Sequence, residues 1–267
     1  MRTYWSFFKM RFINGLQYRT AAYAGIVTQF AWGFMYIMLF HSFYKTNPSA
    51  SNMSISELSS YIWLQQSLLA LFMTWFLDND IFEAISSGNI AYEICRPLDV
   101  YNMWFAKSCA IRVSKAVLRC FPILILASFL PESYKFSLPA SIYSFTLFLI
   151  SVIVGTAVVV GYSMLIYIFT FFTVSSVGVR MTMVMLADFF AGGLVPLPLL
   201  PDYLTKYIYL SPFAAMQNAP FRIYTGGISG IDAVKTIILQ LFWALVLMGF
   251  GKLIMRKAMK KVIVQGG

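Results

Sequence analysis

Apolar residues occupy this chain in long blocks, and short polar stretches separate them into six candidate spans. The first 20 residues behave differently, because apolar and basic side chains alternate there. On a helix, Trp5, Phe8, Phe12 and Leu16 form one stripe, with Arg2 and Lys9 at its edge and Arg11 nearly opposite. That pattern predicts either an interfacial helix over 1–20, its basic side chains snorkelling to headgroups, or the frayed start of the first span. Spans are predicted at 21–44, 58–77, 101–130, 140–171, 177–195 and 233–254. Trp63 and Trp75 sit where aromatic belts are expected around the second span. The third is punctuated by Lys107, Arg112, Lys115 and Arg119. Its apolar part, 120–130, is too short to cross alone, so this helix should begin in the cytoplasm.

From Phe136 to Val179 there are 44 residues without a formal charge. As a helix they would extend ~66 Å, about twice the hydrocarbon core, so they should hold one span, a turn at 173–178 and the start of the next. Gly155 and Gly161 mark places where another helix can approach closely. Pro196, Pro198 and Pro201 close the fifth span. Residues 201–230, with Pro212, Pro220, Gly226 and Gly227, are too broken to cross and too apolar for a free loop. They predict short helices that re-enter the outer leaflet and pack on protein.

Composition turns these blocks into a fold class. Hydrophobic residues make up 60% of the chain and charged residues 11%, with a mean hydropathy of +0.74. Soluble domains carry roughly 25% charge, so a soluble domain, a disordered chain and a collagen-like fibre are excluded. The expectation is an all-α membrane protein, one transmembrane domain over 1–267 with six helices. The net charge is +10. In a membrane protein this points to orientation, not to nucleic acid. Fifteen Lys and Arg fall at the two ends, the 2–3 connection and the 4–5 turn, and five (Lys45, Lys135, Lys206, Arg222, Lys235) on the other side. Basic residues are retained in the cytoplasm, so both termini are expected there. Cys95, Cys109 and Cys120 offer no pair for an outside disulfide, and with the single His41 they make no metal-ligand spacing. No cleavable signal peptide is evident at the N-terminus.

The chemistry is sparse. There is no G-x-x-x-x-G-K-[ST] loop, no H-E-x-x-H and no Ser/His/Asp set, so no catalytic, cofactor-binding or metal residue is assigned. The 2–3 connection is the most structured polar segment. Asn79 or Asp80 can cap a short helix, with Glu83 at the capping-box spacing from Asp80. Ile81, Phe82 and Ile85 share one face, and Gly88 supplies a left-handed stop. Such a surface helix either docks into a groove of a partner or rests on lipid as a connector. Asp188 is the carboxylate deepest in a predicted span. It either lines a path, or is a structural group that is protonated, hydrogen-bonded or paired with a cation such as Arg119. Arg112 and Lys115 are expected to snorkel to anionic lipid, while Arg119, deeper, faces protein.

Several landmarks then coincide. Tyr18-Arg19 opens the first span, and Ser87-Gly88-Asn89-Ile90 precedes Ile94-Cys95-Arg96-Pro97-Leu98. Phe190-Ala191-Gly192-Gly193-Leu194-Val195-Pro196-Leu197 leads to Pro201, then Ser211-Pro212-Phe213 and Pro220. In order and spacing this resembles the type-2 permease family of ATP-binding-cassette exporters, in its compact six-span branch. Ile94 stands where that family usually has leucine. The resemblance implies the membrane subunit of an exporter in the bacterial plasma membrane. It would pair with a second permease, identical or homologous, and bind two separate ABC ATPase subunits that hold the ATP and Mg. The 2–3 helix would be the coupling helix, with Phe82, Ile85, Ser87, Gly88, Asn89, Glu93 and Arg96 as coupling residues. Asp188, Arg119, Gly192 and Gly193 would border the transport path of a hydrophobic or amphipathic substrate, such as a drug, peptide or lipid-like molecule. Two other readings stay open: a non-transporting immunity or sensor component, and a secondary carrier using Asp188. A carrier should show repeated halves, and 1–133 and 134–267 show none.

Overall fold

A computed structural model describes residues 2–17, 19–46, 53–139, 141–173 and 175–260. Tyr18, Ala140, Val174 and Lys261, which figure in the sequence reading, lie outside the described residues. Twelve α-helices and no strand occur among the described residues. They are α1 (Arg2–Leu16), α2 (Arg19–Thr46), α3 (Ile55–Ser67), α4 (Leu69–Phe72), α5 (Asn79–Ser86), α6 (Ile90–Ile94), α7 (Val100–Ser128), α8 (Ile142–Phe169), α9 (Ser176–Phe190), α10 (Asp202–Ile208), α11 (Asn218–Thr225) and α12 (Gly230–Met259).

Among the described residues three helices are long and apolar enough to cross a membrane: α2, α8 with its 3-10 extension to Phe172, and α12. Of these α8 is wrapped by protein, while α2 and α12 leave most of their apolar surface open. Gly161 meets the Leu247 side chain of α12, the close helix approach its position predicts. Gly155 serves a tighter contact. A Cβ there would collide with the Met216 carbonyl oxygen, so the absence of a side chain lets the 211–217 segment touch α8.

The predicted second span is corrected. Its helix breaks at Leu68 and ends at Phe72, and the chain from Met73 to Asp78 is non-helical, not helical to Leu77. A buried cation explains why this end is tolerated. Arg112 is 2% exposed, and its Nη1 donates to the carbonyls of Ala70, Leu71 and Met73 at 3.5, 3.2 and 2.7 Å. Its Nη2 donates to Phe76 O at 3.1 Å and to Ser163 Oγ of α8 at 3.0 Å. A helix C-terminus leaves carbonyls without partners and a partial negative charge, and a guanidinium answers both. Arg112 therefore does not snorkel to lipid. Lys115 turns inward as well, its Nζ 4.8 Å from the Phe76 ring centroid.

The fifth span is also shorter than expected. α9 stops at Phe190, five residues before Val195. Gly192 has φ of +81°, its N–H donates to Phe189 O, and Gly193 N–H donates to Asp188 O at 2.7 Å. This is a Schellman ending, so the glycines close the helix before the prolines are reached. At its other end α9 begins at Ser176, inside the turn expected at 173–178.

α1 packs against α7. Tyr4, Phe7, Arg11 and Gly15 turn inward, and a Cβ on Gly15 would collide with the Ser114 side chain. Trp5 is 67% exposed and stacks on the half-buried Phe8, which stacks on the half-buried Phe12. Trp63 is no belt residue. It is fully buried, and its Nε1 donates to Tyr134 O at 2.7 Å. Residues 201–230 do form short helices. α11 is buried beside α3 and α8, while α10 exposes Tyr203 and Tyr207.

Replacing Arg112 with leucine should strip the donors from three or more buried carbonyls and lower stability by roughly 3 kcal/mol or more. Arg112→Lys should recover part of that, and Lys115→Leu should cost only about 1 kcal/mol. Thermal unfolding of the purified protein in detergent measures the difference. Equal losses for Arg112→Leu and Lys115→Leu would contradict the assignment.

Candidate functional site

Two places gather the residues singled out in the sequence. The first is the α5–α6 segment. Its cap is Asp78, one position before the expected Asn79 and two before Asp80, and its side chain accepts from Asp80 N at 3.0 Å. α5 ends at Ser86, and Gly88 follows at φ +76°, the left-handed position that its sequence context predicts. Nothing lies near a Cβ at Gly88, so a substitution there meets backbone strain without a clash.

This segment is bound to three helix ends. Lys107 of α7 reaches Asp78 at 2.6 Å and Asp80 at 3.2 Å. The Asp78 N–H donates to Tyr167 Oη of α8 at 2.7 Å. Arg180 of α9 donates to Asn79 Oδ1 at 2.9 Å and lies over the Phe82 ring. Trp104 Nε1 donates to Glu93. Phe82 is buried with its ring 5.0 Å from that of Tyr167, and Ile85 is half-buried against the core. Phe82, Ile85 and Glu93 thus face their own chain. Ser87, Asn89 and Arg96 are exposed, as is Tyr92 at 74%.

The second place is a cavity of about 370 Å³ between α2, the α3–α4 break, α7 and α9. Arg119, Asp188 and Gly193 line it together, while Gly192 is buried beside it. Its walls include Trp32, Tyr36, Trp75 and Phe76. Asp188 Oδ1 accepts from Thr74 Oγ1 at 2.8 Å, so the non-helical stretch after α4 is tied to α9. Asp188 and Arg119 form no ion pair, which corrects the pairing weighed above. Arg119 instead donates to Ala21 O at 3.3 Å, its guanidinium lying where a Cβ of Gly25 would be.

Sequence reading missed the amides. Gln65 Nε2 donates to Gly192 O and Gly193 O at 3.1 and 3.0 Å, and Gln217 Nε2 to Ala191 O at 3.2 Å. Together they satisfy the carbonyls of Ala191, Gly192 and Gly193, just past the end of α9. Gln240 of α12 accepts from Ser151 Oγ at 2.8 Å and donates to Ala215 O at 2.8 Å, joining α8, α12 and the 211–217 segment. Gln29 and Gln66 line the cavity. The available signal was an uncharged polar side chain inside an apolar block, at Gln29, Gln65, Gln66 and Gln240.

The cavity has aromatic walls, one cation and one carboxylate, and the α5–α6 segment is a surface element tied to several helices. No motif for nucleotide phosphates accompanies them. No curated protein and no solved structure matches the chain. Residues 30–266, nearly the whole length, match the family described as ABC-2 family transporter protein, whose motif order the sequence already resembled. The chain therefore belongs to the ABC-2 family of transporter proteins, as a membrane permease component.

Proposed function

We propose that this permease is the membrane half of an ATP-driven exporter of hydrophobic or amphipathic molecules, with nucleotide and Mg bound by two separate ATPase subunits. The observation that carries the reading is the α5–α6 segment, fastened to α7, α8 and α9 at once through Lys107, Tyr167 and Arg180. A push on this segment reaches three helices without passing through a flexible joint. Its outward residues, Ser87, Asn89, Tyr92 and Arg96, would meet the ATPase.

The six-span arrangement is part of the proposal. α3 with α4, α7 and α9 join the three long helices as spans. α9 has 15 residues, ~22 Å of rise against a ~30 Å core, so it needs protein where it stops short. Gln65 and Gln217 provide it at the C-terminal end, which in this orientation is the outward one. Irregular backbone inside the bilayer is tolerated where protein or a cavity surrounds it, which fits both helix breaks. The 15 to 5 division of basic residues supports cytoplasmic termini in a plasma membrane. A second permease would cover the outer face of α9, where Val177, Met181, Met185 and Phe189 are exposed and Ala187 is buried.

Three outcomes test this. In a background lacking the native cysteines, a cysteine at position 135 should react with an impermeant reagent in intact cells, and one at 260 should not. The reverse pattern would overturn the orientation. Tyr92→Ala should preserve insertion and stability while lowering transport-coupled ATP hydrolysis roughly fivefold, as expected for a buried interface aromatic. Lys107→Met should lower coupling and stability together. Full stimulated hydrolysis in both variants would leave the loop an ordinary connector. Asp188→Asn keeps an acceptor for Thr74, so loss of export with normal assembly would assign the carboxylate to the path. Asp188→Leu should weaken assembly by removing that acceptor. Normal export and assembly in both would remove Asp188 from the site.

A further inference from the structure

Two side chains that line the cavity beside α2 carry buried polar atoms that their own chain does not satisfy. Gln29 is 5% exposed, and its Oε1 accepts no hydrogen bond. The Nε of Arg119 is buried and has no acceptor. Buried polar atoms are nearly always paired, and leaving them unpaired is costly. An occupant toward which the Gln29 and Arg119 side chains turn would bring an anionic acceptor to Arg119 and an N–H donor to Gln29. Asp188, on the same cavity with a single hydroxyl partner for Oδ1, also favours a cation.

The layout along α2 gives the occupant a shape. Arg119 lies against Gly25, and Gln29 stands one turn on, ~6 Å by helical rise. Trp32 and Tyr36 continue the same lining roughly 10 and 16 Å beyond Gly25. Polar groups therefore crowd the start of α2 and aromatic ones follow. In the proposed orientation the polar end faces the cytoplasmic leaflet, as a lipid headgroup does. The cavity is too small for a whole lipid, but its rim is open. Trp32 and Leu194 are 48% and 56% exposed, so chains can leave past them into the bilayer.

We propose that this cavity binds the head of a zwitterionic phospholipid bearing a primary ammonium, its phosphate on Arg119 and its ammonium between Gln29 Oε1 and Asp188. Choline carries no N–H for Gln29, and a glycerol head carries no cation for Asp188. The headgroup is thereby selected, not merely its negative charge. That such a lipid is also cargo rests on the exporter reading; that it binds does not.

Native mass spectrometry of the purified permease, titrated with palmitoyl-oleoyl phosphatidylethanolamine, phosphatidylcholine or phosphatidylglycerol, tests the assignment. Phosphatidylethanolamine should bind about fivefold or more tighter than the other two. Arg119→Leu should weaken it about tenfold and Arg119→Lys by less, the lysine also serving where leucine impairs folding. Gln29→Leu should erase the preference over phosphatidylcholine. Equal binding of the three lipids, or unchanged binding in both Arg119 variants, would overturn the proposal. Glycerophosphoethanolamine, the head without chains, should compete only at roughly hundredfold higher concentration, since it lacks the apolar contacts. Competition at equal concentration would make a free phosphoamine the occupant and overturn the lipid assignment. ATP-driven flux in the complex with its ATPase separates the two readings. Selective binding without any ATP-driven export leaves the site standing and sinks the exporter. Undiminished ATP-driven export with no lipid selectivity does the opposite.

Discussion

A single guanidinium holds the middle of this bundle together. Arg112 reaches from α7 to the carbonyls that α4 leaves open and to Ser163 of α8. Without it, a helix could not end among apolar side chains, because there is no water to take the last carbonyls. The break after Phe72 in turn frees Thr74 to meet Asp188 and releases the chain toward Asp78, where Lys107 and Tyr167 receive it. The cavity and the surface segment are thus two results of one interrupted helix.

The same logic governs the end of α9. Its Schellman turn satisfies part of the terminus internally, and two buried amides complete it. Both interrupted helices are closed by uncharged acceptors and donors or by a lone cation, not by ion pairs. Buried ion pairs carry a large desolvation cost, and a cation shared among carbonyl dipoles spreads its charge over several partners. Among the described residues the ion pairs lie between Lys107 and the segment before α5, in the 131–135 loop at Lys135, and in the first turns of α12 at Lys235.

Much of this fold was legible because its periodicities are long and its solvent is uniform. The stretches that became α2, α8 and α12 announce themselves by length and by the absence of charge. The 2–3 connection was readable from its cap, its apolar face and Gly88, each a local rule. What escaped was set by contacts far apart in sequence. Nothing near Arg112 says that it will cap a helix some 40 positions earlier, and general expectation sends such a residue to headgroups. The helix end at Phe72 was hidden for the same reason, since Met73 to Leu77 is as apolar as what precedes it. Asp188 and Arg119 line one cavity. Their separation there, with Thr74 and Ala21 as the partners taken, depends on backbone positions that hydropathy does not encode.

The Ser151–Gln240 bond has a consequence in time. Its two members are 89 positions apart, so α8 is made long before α12 can answer it. At synthesis rates of ~5–20 residues per second, the hydroxyl of Ser151 waits several seconds or more for that bond. The carbonyl of Ala215 must wait for the same amide. The seam between α8 and the 211–217 segment is therefore locked only once α12 has emerged from the ribosome, and a nascent chain that stalls before Gln240 carries it open.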